Sequence, residues 1–131
     1  MNTIVNITDK VGLGKVVQEF EISLPGETVS VRDLIEARIR QEVADYNDRL
    51  PDYYMGLVQP ADAEKALNGF RMKDRKKIDA EKQVYIALDA FQKNAYFILV
   101  DNKQVESLEQ QVQISSNTRV SFVKLTPLVG G

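Results

Sequence analysis

The chain has 131 residues, 44% of them apolar, and a net charge of -2, which is enough for one domain that buries roughly two-thirds of its unfolded surface. Near-neutral charge argues against a nucleic-acid-binding surface as the main function. Cysteine and histidine are both absent, which removes disulfides, thiol nucleophiles, thiolate metal sites and the commonest general base.

Two further exclusions follow. No apolar run approaches the roughly 20 residues that a bilayer demands, and Met1 to Lys10 lacks a basic start followed by a hydrophobic core. No membrane association is expected, and the chain is placed in the cytoplasm. Catalysis would have to rest on carboxylates, Lys, Tyr or Ser alone. The composition therefore suits a substrate of other enzymes better than an enzyme, with no catalytic residue and no metal site expected.

In chain order, Asn2 to Ile7 and Lys15 to Leu24 carry the alternation of half-buried strands, with Phe20, Ile22 and Leu24 on one face. Between them, Gly12-Leu13-Gly14-Lys15 looks like the end of a phosphate-binding loop. It lacks the upstream glycine at the required spacing, and Val16 stands where Ser or Thr would follow the lysine. A hairpin turn is the reading. Pro25-Gly26-Glu27 turns the chain again, and Ser30 is the predicted N-cap of a helix with Asp33 in capping-box position. That helix is predicted to reach Tyr46 or Asn47, stopped by Pro51. Val31, Leu34, Ile35, Ile39 and Val43 recur on its inner face.

From about residue 50 to residue 94 the pattern changes. A short helix is predicted over Asp62 to Leu67, closed by Asn68-Gly69. A longer one is predicted after the cap Asp79, with Ala80, Val84, Ala87, Leu88, Phe91 and Ala95 sharing a face. Phe70 and Tyr53-Tyr54-Met55 read first as contacts to the core and second as an exposed docking patch. The basic run Arg71, Lys73, Arg75, Lys76 and Lys77, interrupted by Asp74, reads first as a solvated face and second as a docking site for an acidic partner. No aromatic side chains are interleaved to stack on bases.

The end of the chain is the most informative part. Tyr96 to Val100 reads as a buried strand, Asp101-Asn102 as a turn and Gln104 to Leu108 as the returning strand. Arg119 to Leu125 is a last strand after the turn-rich Ser115-Ser116-Asn117-Thr118. Then come Pro127-Leu128-Val129-Gly130-Gly131. Glycine has no Cβ and lets another backbone approach closely, so a tail ending in two of them can be threaded through a narrow groove. Its terminal carboxylate is then within reach of an external active site, as an acyl donor requires.

Over this stretch the chain resembles the ubiquitin-like β-grasp proteins of the small sulfur-carrier type, such as the molybdopterin-synthase small subunit and the thiamine-pathway carrier. The matching residues are Leu99-Val100-Asp101-Asn102, Asn117-Thr118-Arg119-Val120-Ser121-Phe122 and Pro127-Leu128-Val129-Gly130-Gly131. The resemblance spans about residues 1–48 and 95–131, and departs from the family in having no glycine in the Asp101-Asn102 turn. It implies an α+β fold, a ubiquitin-like β-grasp with a mixed four- to five-stranded sheet and a crossing helix. On that pattern residues 1–131 form a single domain, with a helical insertion at about 50–94 between the first helix and the third strand. Residues 126–131 are then a flexible tail.

The resemblance also implies how the chain is used. Gly131, with Gly130, is the adenylation and conjugation site, and Val129, Leu128 and Pro127 are the residues by which the tail is recognised. The partners are an E1-like adenylyltransferase using ATP and Mg²⁺, an E2-like carrier, a zinc-dependent isopeptidase of the JAB/JAMM type, and target proteins. No cofactor is expected to stay bound to the chain itself. Three readings result: a protein modifier joined to an amine, a sulfur carrier with a C-terminal thiocarboxylate, and a non-catalytic β-grasp binding module. The modifier is preferred, because a protein handled by several successive enzymes has more use for an additional helical element.

Overall fold

A computed structural model describes residues 2–12, 14–61, 63–66, 69–73 and 76–125. Strands β1 (Asn2–Val11) and β2 (Lys15–Pro25) form an antiparallel hairpin. Gly12 and Gly14 turn it with φ of 61° and 109°, angles that a side chain would resist. Gly12 and Gly14 thus lie in the expected hairpin turn, and Leu13 lies outside the described residues. A short strand β3 (Thr28–Ser30) leads into helix α1 (Val31–Arg49). Ser30 Oγ accepts from the Asp33 N–H at 3.0 Å, and the Val31 and Arg32 N–H groups bond the Gln110 and Leu108 carbonyls at 2.9 Å each. Three of the donors that a helix leaves orphaned at its start are satisfied in this way. The helix runs past the predicted stop to Arg49, and Leu50 closes it in the left-handed region with φ of 48°.

Three short strands follow: β4 (Tyr53–Tyr54), β5 (Ala63–Lys65) and β6 (Phe70–Met72), paired in the order β4-β6-β5. The helix expected over Asp62 to Leu67 is therefore replaced, at residues 63–65, by a strand. Six residues are too few to sustain a helix unaided, and Phe70–Met72 offers the backbone of Ala63–Lys65 a ready partner. Helix α2 (Ala80–Gln92) starts at the predicted cap, with Asp79 Oδ1 accepting from Lys82 N–H at 3.2 Å. It ends before Ala95, which lies outside it rather than on its inner face.

The chain then enters β7 (Tyr96–Val100), β8 (Lys103–Gln104), β9 (Gln111–Gln113) and β10 (Arg119–Lys124). Asp101 and Asn102 turn β7 into β8 with φ of 49° and 69°, a two-residue turn that these side chains tolerate without glycine. The return expected over Gln104 to Leu108 is only two residues of strand. Val105 N–H still reaches the Ile98 carbonyl at 3.0 Å, but Glu106 N–H is taken by Gln110 Oε1 at 2.8 Å, which ends the pairing.

The main sheet is five-stranded and mixed, in the order β2-β1-β10-β7-β8. β1 and β10 run parallel in its interior, and the other neighbours are antiparallel. Side chains alternate across a strand, so Val5, Ile7, Ile22, Ile98, Val120 and Phe122 share the buried face. Val31, Leu34, Ile35, Ile39 and Val43 of α1 complete this core. α2 packs on α1 and adds Val84, Ala87 and Phe91. The described residues are thus α+β, with a five-stranded mixed sheet and two helices among them. None of its helices is long and apolar enough to cross a membrane, among the described residues.

Candidate functional site

Gly131 and Gly130, together with Val129, Leu128 and Pro127, lie outside the described residues. The strand from which they continue is described in full. β10 lies between β1 and β7, and its last residue, Lys124, points to the helix side of the sheet, where Nζ donates to the Gly56 carbonyl at 2.9 Å. Its own carbonyl accepts from Gly12 N–H at 3.3 Å. Burial pushes the pKa of the Lys124 ammonium down, and the nearby Asp9 carboxylate offsets part of the effect. The following residue, Leu125, is half exposed.

Beside this strand end lies a buried charge cluster that the sequence reading did not find. Arg38 of α1 is fully buried and makes a bidentate pair with Asp9 of β1, itself fully buried. Its Nε donates to Glu42 Oε1 at 2.6 Å. The guanidinium also lies over Phe122 and Phe20, 4.5 and 5.0 Å from the ring centroids. Burial works against the charged guanidinium, but Glu42 and Asp9 outweigh it, and its pKa stands above the ordinary value. Paired planar geometry and aromatic faces together are what make a buried arginine tolerable.

Glu42 carries the cluster across to the chain beyond α1. Its Oε2 accepts from the Tyr54 hydroxyl at 3.0 Å and from the Leu57 N–H at 3.3 Å. Burial, with Glu42 beside it, holds the Tyr54 phenol well above its ordinary pKa. Gln18 of β2 donates to Asp9 Oδ2 at 2.7 Å and to the Met55 carbonyl at 3.1 Å. Gly56 lies against the Tyr54 ring, where an added Cβ would fall 2.1 Å from Cε2. Residues 54–57 are thus tied to β2, to α1 and to the end of β10.

Asp9, Arg38 and Glu42 are each partnered, and their hydrogen bonds join β1, β2, α1 and residues 54–57. No cluster of His, Cys, Asp or Glu that could hold a metal occurs among the described residues. A signal for the cluster was legible in the sequence. Asp9 continues the inward alternation of Val5 and Ile7, and Arg38 sits on the same helical stripe as Leu34 and Ile35. A charge on the apolar stripe of two neighbouring elements points to a buried pair. Of the expected core contacts, Tyr54 is buried against Tyr46 and Phe70, while Tyr53 and Met55 are half exposed. In the basic run Arg71, Lys73, Lys76 and Lys77 are exposed, with Lys73 near Glu64 at 3.7 Å. Arg75 lies outside the described residues.

No protein-family model, curated protein or solved structure matches this chain. The functional reading therefore rests on its residues and their geometry.

Proposed function

We propose that this chain is a ubiquitin-like protein modifier of the β-grasp type, acting in the cytoplasm. The reaction sequence has three displacements. The Gly131 carboxylate attacks the α-phosphate of ATP on an E1-like adenylyltransferase, and pyrophosphate leaves. A thiolate of a partner enzyme attacks the acyl carbon and displaces AMP. An amine of the target then displaces the thiolate and forms an isopeptide bond. Mg²⁺ and ATP belong to the partner enzyme.

The observation that carries the reading is the placement of β10. The strand order β2-β1-β10-β7-β8, with a parallel interior pair, is compatible with a β-grasp, and the inner face of α1 packs on the sheet. The last strand is an interior one, and Gly130-Gly131 follows it closely in sequence. On this reading residues 50–94 are an insertion in the domain. Sulfide attack on the same adenylate would give a sulfur carrier. Pro51, Tyr53, Tyr54 and Met55, which line a groove against α1 and β2, favour a protein handled by several partner proteins over a minimal sulfur donor.

The test compares the wild-type chain, tagged at its N-terminus, with a variant lacking Gly131, both expressed in the native host. Higher-mass covalent adducts are expected for the wild type and none for the truncated chain. Melting midpoints measured alongside separate lost activation from lost folding. Equal adducts from a truncated chain that folds normally would overturn the proposal.

A further inference from the structure

A groove of about 460 Å³ runs between the C-terminal half of α1 and residues 51–55, and the activation chemistry of Gly131 makes no use of it. Tyr53 and Met55 form one wall and are 50% and 45% exposed. A rigid aromatic and an adaptable thioether, left open to solvent, have the character of interface anchors. Asp45 and Asp48 form the other wall, exposed on the last turns of α1. Carboxylates at that end oppose the helix dipole. Neither is ion-paired with another described residue, and Arg49 offsets one of the two charges.

The groove is also tied to the root of the tail. Gln18 holds the Met55 carbonyl and Lys124 holds the Gly56 carbonyl. A seven-residue extended chain spans at most about 25 Å, so an enzyme acting on Gly131 works within that distance of the Lys124 anchor. Such an enzyme must gather ATP and a carboxylate, two anions, and a positive field around its entrance serves that purpose. The groove's acidic wall complements such a field. The Lys76, Lys77 and Lys82 side chains around a separate depression at the start of α2 do not.

We propose that this groove docks a segment of the activating enzyme that presents an arginine or lysine beside a large apolar side chain. The cation lies against Asp45 and Asp48, and the apolar group sits between Tyr53 and Met55. The choice of the activating enzyme as occupant rests on the Gly131 reading above. The groove's preference for a basic, apolar segment does not.

Two measurements test it. The first follows backbone amide resonances of the intact chain during titration with a blocked Leu-Lys-Leu-Arg-Leu peptide, with the same peptide carrying glutamates in place of its cations as control. Shifts are expected at Asp45, Asp48, Tyr53 and Met55, with affinity about tenfold weaker in the D45K/D48K variant and no response to the control. Lysines at the end of α1 suit its dipole, so this variant should fold. Shifts that scatter over the surface, gather at Lys76 to Lys82, or persist unchanged in the variant would overturn the groove. The second compares Gly131-linked product from wild type and D45K/D48K in the host, and a loss of about fivefold or more is expected. Equal product overturns the docking inference and leaves the Gly131 reading standing. No product from the wild type defeats the Gly131 reading, and the peptide titration then decides the groove alone.

Discussion

Replacing Arg38 with alanine would leave Asp9 fully buried and Glu42 nearly so, with no cation between them. Removing one partner of a buried ion pair typically costs about 3–5 kcal/mol, because the remaining charge stays desolvated. Here two carboxylates lose their partner at once, and the stacking on Phe20 and Phe122 goes with it, adding about 0.5–2 kcal/mol. Against a typical domain stability of about 5–15 kcal/mol, that is a large fraction. The melting midpoint should fall by roughly 10–20 °C. Circular-dichroism melts of R38A and wild type measure this. The combined variant D9N/R38M, which removes both charges, should recover part of the loss. An R38A protein melting close to wild type would mean that the cluster is solvated and the reasoning wrong.

Three further predictions concern the fold and the elements around the tail root. Tyr54 and Tyr96 have pKa values raised chiefly by burial, so their neutral forms contribute stability that is complete below the ordinary value of 10.0 and lost as pH rises beyond it; an ultraviolet phenolate titration followed alongside circular dichroism should show these two ionising only with unfolding, and their ionisation in the folded chain would refute it. Gly56→Ala places a Cβ into the Tyr54 ring and should cost about 1–3 kcal/mol, read as a lowered denaturant midpoint; an unchanged midpoint would mean the ring moves aside freely. Ser30→Ala and Asp79→Ala each remove a helix cap and should each cost about 1 kcal/mol in chemical denaturation.

The hairpin, α1, α2, β7 and β10 were legible because each carries its own period, although α1 runs past its predicted stop and α2 ends before Ala95. Ser30 and Asp79 cap as the sequence indicates, and the alternation through Ile22 and Leu24 is the observed buried face. What the sequence did not disclose depends on distant pairing. β3 and β9 exist only because Thr28–Ser30 meets Gln111–Gln113 across the fold, and neither is long enough to show a period. β5 took a strand conformation against a local helical pattern for the same reason. Asp9, Arg38 and Glu42 were each visible as charges on apolar stripes. That they meet depends on how α1 crosses β1, which no local pattern specifies. The groove at Tyr53 and Met55 is equally a product of where residues 51–57 lie against α1 and β2.

The most direct test of the central claim is mass spectrometry of the protein recovered from its native host after trypsin digestion. Cleavage after Lys124 leaves Leu125 to Gly131 attached to the lysine of any conjugated target. The account predicts that this remnant is found joined to lysines of other proteins through the Gly131 carbonyl. A tail with one oxygen replaced by sulfur would make the chain a sulfur carrier, and a tail unmodified under all conditions would contradict activation at Gly131 altogether.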